Sequence, residues 1–328
     1  MALVSCSYGK DGNYIDVTDK AKTLLSKDGL LDASNRNFGD PLLNVKKELK
    51  LRLKLDPGLG LDPEPGLEDR ATIVITEGDS YSLRHGPLSQ KDVILKCYYH
   101  IFVTNNPAML NIIDEQINTL LYSSIYNKFT VINCCLSGND KNHYNHVLRK
   151  LSNLQRETGG KIKLLKAVFG DTTYERFTLD EMRHDPDINN PETNNKTFIL
   201  YIHSKGATRK DVDLVAKWRR CLMHFLVVRA TVCIEKFLND NYDTIGICYF
   251  HNYGFTYADG VTVYGNHFGG NFWWVKGSYM QRVLQNHIIG PRYYDTEQLL
   301  FKEQPKFCNL YDWDWSYAQF EEHNYIHL

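Results

Sequence analysis

Val93-Ile94-Leu95-Lys96-Cys97-Tyr98-Tyr99-His100-Ile101-Phe102-Val103 decides the fold of this chain. The run is rich in β-branched and aromatic residues, which predicts a buried strand. The residues from Met109 to Tyr126 then repeat their apolar positions at helical spacing. The same alternation continues outward. Phe129 to Leu136 reads as a strand, His143 to Arg156 as a helix and Ile162 to Phe169 as a strand. A short helix near Leu179 precedes the strand Phe198-Ile199-Leu200-Tyr201-Ile202. A long helix from Val212 to Leu238 and a strand from Thr244 to Tyr249 follow. Strands alternating with helices at this spacing predict an α/β fold, with a mostly parallel sheet covered by helices on both faces. Neither G-x-G-x-x-G nor G-x-x-x-x-G-K-[ST] occurs, which argues against a Rossmann dinucleotide site and a P-loop.

Before this domain the pattern is different. Leu3 to Gly9, Glu48 to Leu55 and Ala71 to Glu77 read as strands, and the second alternates apolar and charged residues as a half-buried antiparallel strand does. Between the last two lies Asp56-Pro57-Gly58-Leu59-Gly60-Leu61-Asp62-Pro63-Glu64-Pro65-Gly66, too rich in Pro and Gly for a helix and read as an internal hairpin loop. The expected organisation is a small β-rich accessory module over residues 1–88, followed by the α/β domain over 89–328. Tyr14-Ile15-Asp16-Val17-Thr18 and Phe38-Gly39-Asp40-Pro41 give the module a similarity to the small β domain of J-domain co-chaperone-like proteins.

Bulk properties narrow the function classes. Across 328 residues the net charge is −1, so no overall field draws the chain to nucleic acid or to an anionic membrane. No apolar run approaches the ~20 residues of a membrane span. The eight cysteines (Cys6, Cys97, Cys134, Cys135, Cys221, Cys233, Cys248 and Cys308) form no C-x-x-C pair, and read as reduced core thiols rather than zinc ligands. The N-terminus lacks the basic and apolar regions of a signal peptide. The expectation is an intracellular, cytoplasmic protein, and the sequon Asn195-Lys196-Thr197 is read as accidental.

Two motifs carry chemistry. Tyr201-Ile202-His203-Ser204-Lys205-Gly206 places a His, a hydroxyl, a Lys and a Gly at the carboxyl end of a strand, where cations suit a phosphorylated ligand. Gly269-Gly270-Asn271-Phe272-Trp273-Trp274 sets two indoles after flexible glycines, and an aromatic face suits the C–H face of a sugar. Neighbours on a strand point to opposite faces, so one indole is expected in the core and the other on the cleft.

These motifs, with Tyr174-Glu175-x-x-Thr178-Leu179, Trp218-Arg219 and Tyr294-Asp295-Thr296-Glu297, give residues 91–328 a resemblance to GT-A-type glycosyltransferases of large DNA viruses and bacteria. The resemblance implies a GT-A-like fold, a nucleotide-sugar donor, a saccharide or glycoconjugate acceptor and often Mn²⁺ or Mg²⁺. If the protein is viral, its compartment would be the host cytoplasm. One departure stands out: at the strand end where an Asp-x-Asp would hold the metal, this chain has His203, Ser204 and Lys205, which form no hard-cation site. The triplets Asp185/Asp187, Asp211/Asp213 and Asp312/Asp314 lie elsewhere, so the metal site stays unassigned. The expected donor site is therefore cationic. Lys205 and Arg209 with His203 and Ser204 would face the diphosphate, Gly206 would permit close approach, and Thr104 and Asn105 would lie near the base by fold analogy. For an inverting transfer, Glu297 is the expected base and Asp295 its rival, although a helix N-cap explains Asp295 equally well. Asn271, Trp273 and Trp274 are assigned to the acceptor. A catalytically inactive carbohydrate- or protein-binding module on a transferase scaffold is the alternative, and a nucleotidyltransferase or phosphohydrolase would need a metal carboxylate cluster.

Overall fold

The structure, a computed structural model, describes residues 2–10, 12–28, 30–32, 48–54, 70–76, 80–82, 93–170, 173–208, 212–312 and 320–326. The chain divides into two compact units, Met1–Lys91 and Asp92–Leu328.

In the first unit, β1 (Ala2–Lys10), β2 (Asn13–Asp16), β4 (Glu48–Lys54) and β5 (Arg70–Thr76) form one antiparallel sheet in the order β2-β1-β4-β5. β3 (Leu30–Asp32) pairs separately with β6 (Ser80–Ser82). The alternating segment expected as a strand is β4, and its register against β5 runs from Glu48 opposite Thr76 to Lys54 opposite Arg70. The Pro-Gly stretch between them and Phe38–Pro41 lie outside the described residues. A helix, Thr18–Asp28, was not legible as such; Asp16 Oδ1 accepts the Thr18 backbone N–H at its start, at 2.9 Å.

The second unit is built on seven strands: β7 (Ile94–Val103), β8 (Phe129–Gly138), β9 (Ile162–Phe169), β10 (Thr197–His203), β11 (Thr244–Gly246), β14 (Trp273–Lys276) and β15 (Phe307–Asn309). Their order is β15-β11-β14-β10-β7-β8-β9. β7, β8, β9 and β10 pair in parallel, as do β11 and β15, while β14 runs antiparallel to both β10 and β11. The protein is thus mixed α/β with a large, mostly parallel sheet flanked by helices. Between β11 and β14 the chain makes a separate hairpin, β12 (Tyr249–Thr256) with β13 (Thr262–Phe268).

The apolar periodicity of the helices accounts for the packing. Helix Met109–Tyr122 buries Met109, Ile112, Ile113, Ile117 and Leu120, and Lys141–Glu157 buries Tyr144, Val147 and Leu151. The expected single helix from Val212 to Leu238 is interrupted: Val212–Met223 passes into a π-turn at His224–Val228 before Ala230–Asp240 resumes. The indole N–H of Trp274 donates to the Leu226 carbonyl within that wider turn, at 2.7 Å. All eight cysteines are free, and burial drives the thiols of Cys6, Cys135 and Cys221 up to about 12. No helix among the described residues is long and apolar enough to cross a membrane.

This topology creates a switch point in the sheet. From β7 the chain adds β8 and β9 on one side and then returns to place β10 on the other. The carboxyl ends of β7 and β10 therefore flank a topological switch point, where open α/β sheets leave a crevice.

Candidate functional site

A cavity of about 310 Å³ opens at that switch point. β7 contributes His100 and Phe102, the end of β10 contributes His203 and the turn after it Ser204 through Thr208, and helix Val212–Met223 contributes Leu214, Val215 and Trp218. Tyr174 and Glu175 enter from the segment after β9, and Tyr293 from the short helix Tyr293–Glu297.

The turn after β10 is held rigidly. Ser204 N–H donates to the His100 carbonyl at 2.9 Å, and the Ser204 hydroxyl accepts the Phe102 N–H at 2.9 Å. Gly206 has φ +97°, a conformation that favours glycine, and a Cβ there would also sit tightly, 3.1 Å from Val215 and 3.2 Å from Arg219. Arg219 fastens the loop from below. It donates to the Lys205 carbonyl at 3.0 Å and pairs bidentately with Glu115 at 3.1 and 2.7 Å. Lys205 Nζ lies 3.9 Å from the Trp218 ring centroid, a cation–π contact that carries positive charge on the cavity wall.

The same cavity holds a buried acid. Glu175 is 3% exposed, and its Oε2 accepts from Asn271 Nδ2 at 2.9 Å and from the Thr296 hydroxyl at 2.8 Å. Its Oε1 lies 3.4 Å from His203 Nδ1. The other ring nitrogen, His203 Nε2, is 2.8 Å from the Gly270 carbonyl, which can only accept, so Nε2 bears the hydrogen. Burial, reinforced by the Lys205 charge, pushes His203 down to about 3. Burial also pushes the Glu175 carboxyl up, against the pull of Thr296, Asn271 and Lys205. Burial thus works against the charged form of each group, and the 3.4 Å between them is a close approach of imidazole and carboxyl, longer than an ordinary hydrogen bond. Tyr174, with φ +49°, sits in the left-handed region that bulky residues avoid. That strain, on the order of 1–3 kcal/mol, is of the kind that collects at functional sites. Tyr174 stacks edge-on to Tyr293 at 6.1 Å, and these partly exposed rings form the aromatic wall of the cavity.

Of the donor-side residues expected from sequence, His203, Ser204, Lys205 and Gly206 line the cavity, and Arg209 lies outside the described residues. Thr104 and Asn105 are corrections, since neither lines it. The Thr104 hydroxyl donates to the Ala207 carbonyl at 2.8 Å and thereby ties β7 to the turn, while Asn105 is exposed.

The acceptor assignment is corrected too. Trp273 is 2% exposed and Trp274 is fully buried. They do point to opposite faces, Trp273 stacking on Tyr201 at 4.7 Å and Trp274 on Phe129 at 6.0 Å, but the sheet is covered on both sides, so neither reaches the cavity. Asn271 spends its amide inside the protein, accepting the Trp273 indole N–H at 2.8 Å and donating to Glu175. Asp295 closes its own helix, accepting the Arg292 backbone N–H at 2.9 Å. Glu297 is buried 3.8 Å from His267 Nε2, and neither acid lines the cavity. Glu175 is the acid that sequence reasoning missed; its motif belonged to the resemblance, yet a lone Glu after a strand has no spacing that marks it.

A divalent metal does not fit this donor set. Among the described lining residues Glu175 is the single carboxylate, and Lys205 puts a cation beside it. No group of three or more His, Cys, Asp or Glu among the described residues is arranged to hold a metal ion. Asp185 and Asp187 both pair with Lys96 at 2.6 Å, Asp213 pairs with Lys217 at 2.7 Å, and Asp312 accepts from Asn309. Asp211 and Asp314 lie outside the described residues.

Fold and site together define an α/β protein with a polar, aromatic-walled cavity at the switch point of its sheet. The chain belongs to the family described as a domain of unknown function (DUF8361), which matches residues 98–314. No curated protein matches it. Among solved structures, 4-diphosphocytidyl-2C-methyl-D-erythritol synthase of Anaerococcus prevotii is similar, with 9% identity and a TM-score of 0.34 over 68% of this chain and 90% of that one. At that TM-score the likeness carries no argument about activity.

Proposed function

We propose that this chain is a glycosyltransferase of GT-A-like fold that moves a sugar from a nucleotide-sugar donor to a saccharide or glycoconjugate acceptor, with inversion. The observation that carries the reading is that Lys205 and Glu175 line one cavity at the switch point. A cation at a strand end suits the diphosphate leaving group, and a buried acid suits the proton that the acceptor hydroxyl must lose. Tyr174, Tyr293 and Trp218 offer ring faces to a sugar or base. Glu175 therefore replaces Glu297 and Asp295 as the base in this reading.

The test is a panel of UDP-, GDP- and CMP-sugars incubated with the full chain, with and without Mn²⁺ and with EDTA, reading nucleotide release. The expected outcome is release from one donor class that survives EDTA. Release abolished by EDTA keeps the transfer but removes the cationic site in favour of a metal. Neither release nor a thermal shift with any donor overturns the reading and leaves a binding module on this fold.

A further inference from the structure

The donors and acceptors around Glu175 form a chain whose directions are fixed. The Trp273 indole can only donate, so Asn271 presents its Oδ1 to Trp273 and its Nδ2 to Glu175 Oε2. At the other end the Gly270 carbonyl can only accept, so His203 presents its lone pair or a second N–H to Glu175 Oε1. At 3.4 Å two lone pairs would repel, and a proton held on either atom would turn that approach into an attraction. The Thr296 hydroxyl adds a further constraint: its single proton has two acceptors, Glu175 Oε2 and the Tyr293 carbonyl, each at 2.8 Å. The Gly269–Trp274 motif thus acts one layer behind the cavity. Trp273 and Asn271 are positioning residues for Glu175.

We propose that Glu175 and His203 share one proton as an acid–base pair whose basicity is set by whether an anion occupies the Lys205 side of the cavity. This rests on the reading that the cavity takes a diphosphate. Lys205 bears on both partners, disfavouring the imidazolium and favouring the carboxylate. The other groups facing the pair are His100 on β7, register partner of His203, Tyr201 on β10, and Tyr293 and Thr296 on the short helix. A diphosphate beside Lys205 cancels its field and adds negative charge, so the pair can hold a second proton. In the transfer, the acceptor oxygen forms its bond to the anomeric carbon. The bond from that carbon to the phosphate oxygen breaks, and the nucleoside diphosphate leaves with the electron pair. The acceptor proton passes to the Glu175 carboxylate while the shared proton rests on His203.

The experiment uses inorganic pyrophosphate as probe and ring-¹³C-labelled histidine in the full chain, with the His203 signal assigned from His203→Gln. Without probe, His203 is expected to remain in its Nε2–H neutral form down to acidic pH. With pyrophosphate bound, its titration midpoint is expected to rise by about one pH unit or more, and Glu175→Gln is expected to abolish most of that rise. Pyrophosphate binding, seen by calorimetry, with an unmoved His203 midpoint overturns the coupling and leaves the diphosphate cavity standing. Absence of pyrophosphate binding overturns the coupling together with the diphosphate reading. In the free protein, an unchanged His203 shift and tautomer in folded Glu175→Gln overturns proton sharing whatever the probe does. If Glu175→Gln does not fold, the wild-type midpoint with and without probe decides the coupling alone.

Discussion

Two buried clusters sit toward opposite ends of β7, and they differ in completeness. Toward its amino end, Lys96 bridges Asp185 and Asp187 at 2.6 Å each, and Tyr98 donates its hydroxyl to Asp185. Every charge there has an opposite in contact, and helix Pro186–Asn189 is capped by the same Asp185. At the carboxyl end, Glu175 and His203 approach to 3.4 Å, and both line a cavity together with Lys205. Both clusters combine Lys with acid and with aromatic rings, so composition does not separate them. Satisfaction does: a closed network holds the fold, whereas an acid and an imidazole left at 3.4 Å beside open volume are the pair to which the proposed function assigns the chemistry.

The contrast predicts opposite readouts at the two ends. Glu175→Gln should lower turnover with the accepted donor by roughly two to four orders of magnitude with little change in unfolding free energy; a protein that unfolds without losing rate first would reverse the assignment. Lys96→Met should do the converse. Leaving the buried Asp185 carboxylate without its cation costs on the order of 3–5 kcal/mol, read by chemical denaturation, while donor affinity of the folded fraction stays as it was. Acid should find the histidines at the open end and beyond it. His203 is held at about 3 and His224 and His267 at about 4, all chiefly by burial. Each is depressed below its unfolded value of ~6.5, so the neutral form's stability is present above that pH and is lost as pH falls from ~6.5 toward 4. Unfolding free energies measured across pH 4–8 should fall over that window, each histidine contributing up to about 3 kcal/mol. Lys205→Met should weaken pyrophosphate binding roughly tenfold or more, with a salt dependence smaller than that of wild type. The smallest effect is expected for Glu297→Gln: a change in turnover within about threefold, measured against the same donor, since its carboxylate does not line the cavity.

Much of the scaffold was legible in the chain. The apolar runs at β7, β8, β9 and β10 gave strands within a few residues, because sheets covered on both faces require continuous apolar stretches. The reversed β14 and the β12–β13 hairpin were not legible, since strand direction is set by partners distant in sequence. At the site, His203 to Gly206 could be read because a strand end is a local feature. Glu175 could not: four separate segments must meet before it acquires Asn271, Thr296 and His203 as neighbours. The Trp pair misled for the same reason, because exposure depends on what covers the second face.

The reversed strand also bears on how the protein is made. By the time His203 has left the ribosome, β7 to β10 can already pair, but β11 has no seat, because β14 must lie between it and β10. Trp273 to Lys276 therefore fill a gap that stays open through the synthesis of about seventy residues. Until then the outer edge of β10 presents unpaired backbone groups to any strand nearby. A chain released before Trp273 would carry that exposed edge for its lifetime, and chaperone capture of nascent chains should peak between these two points.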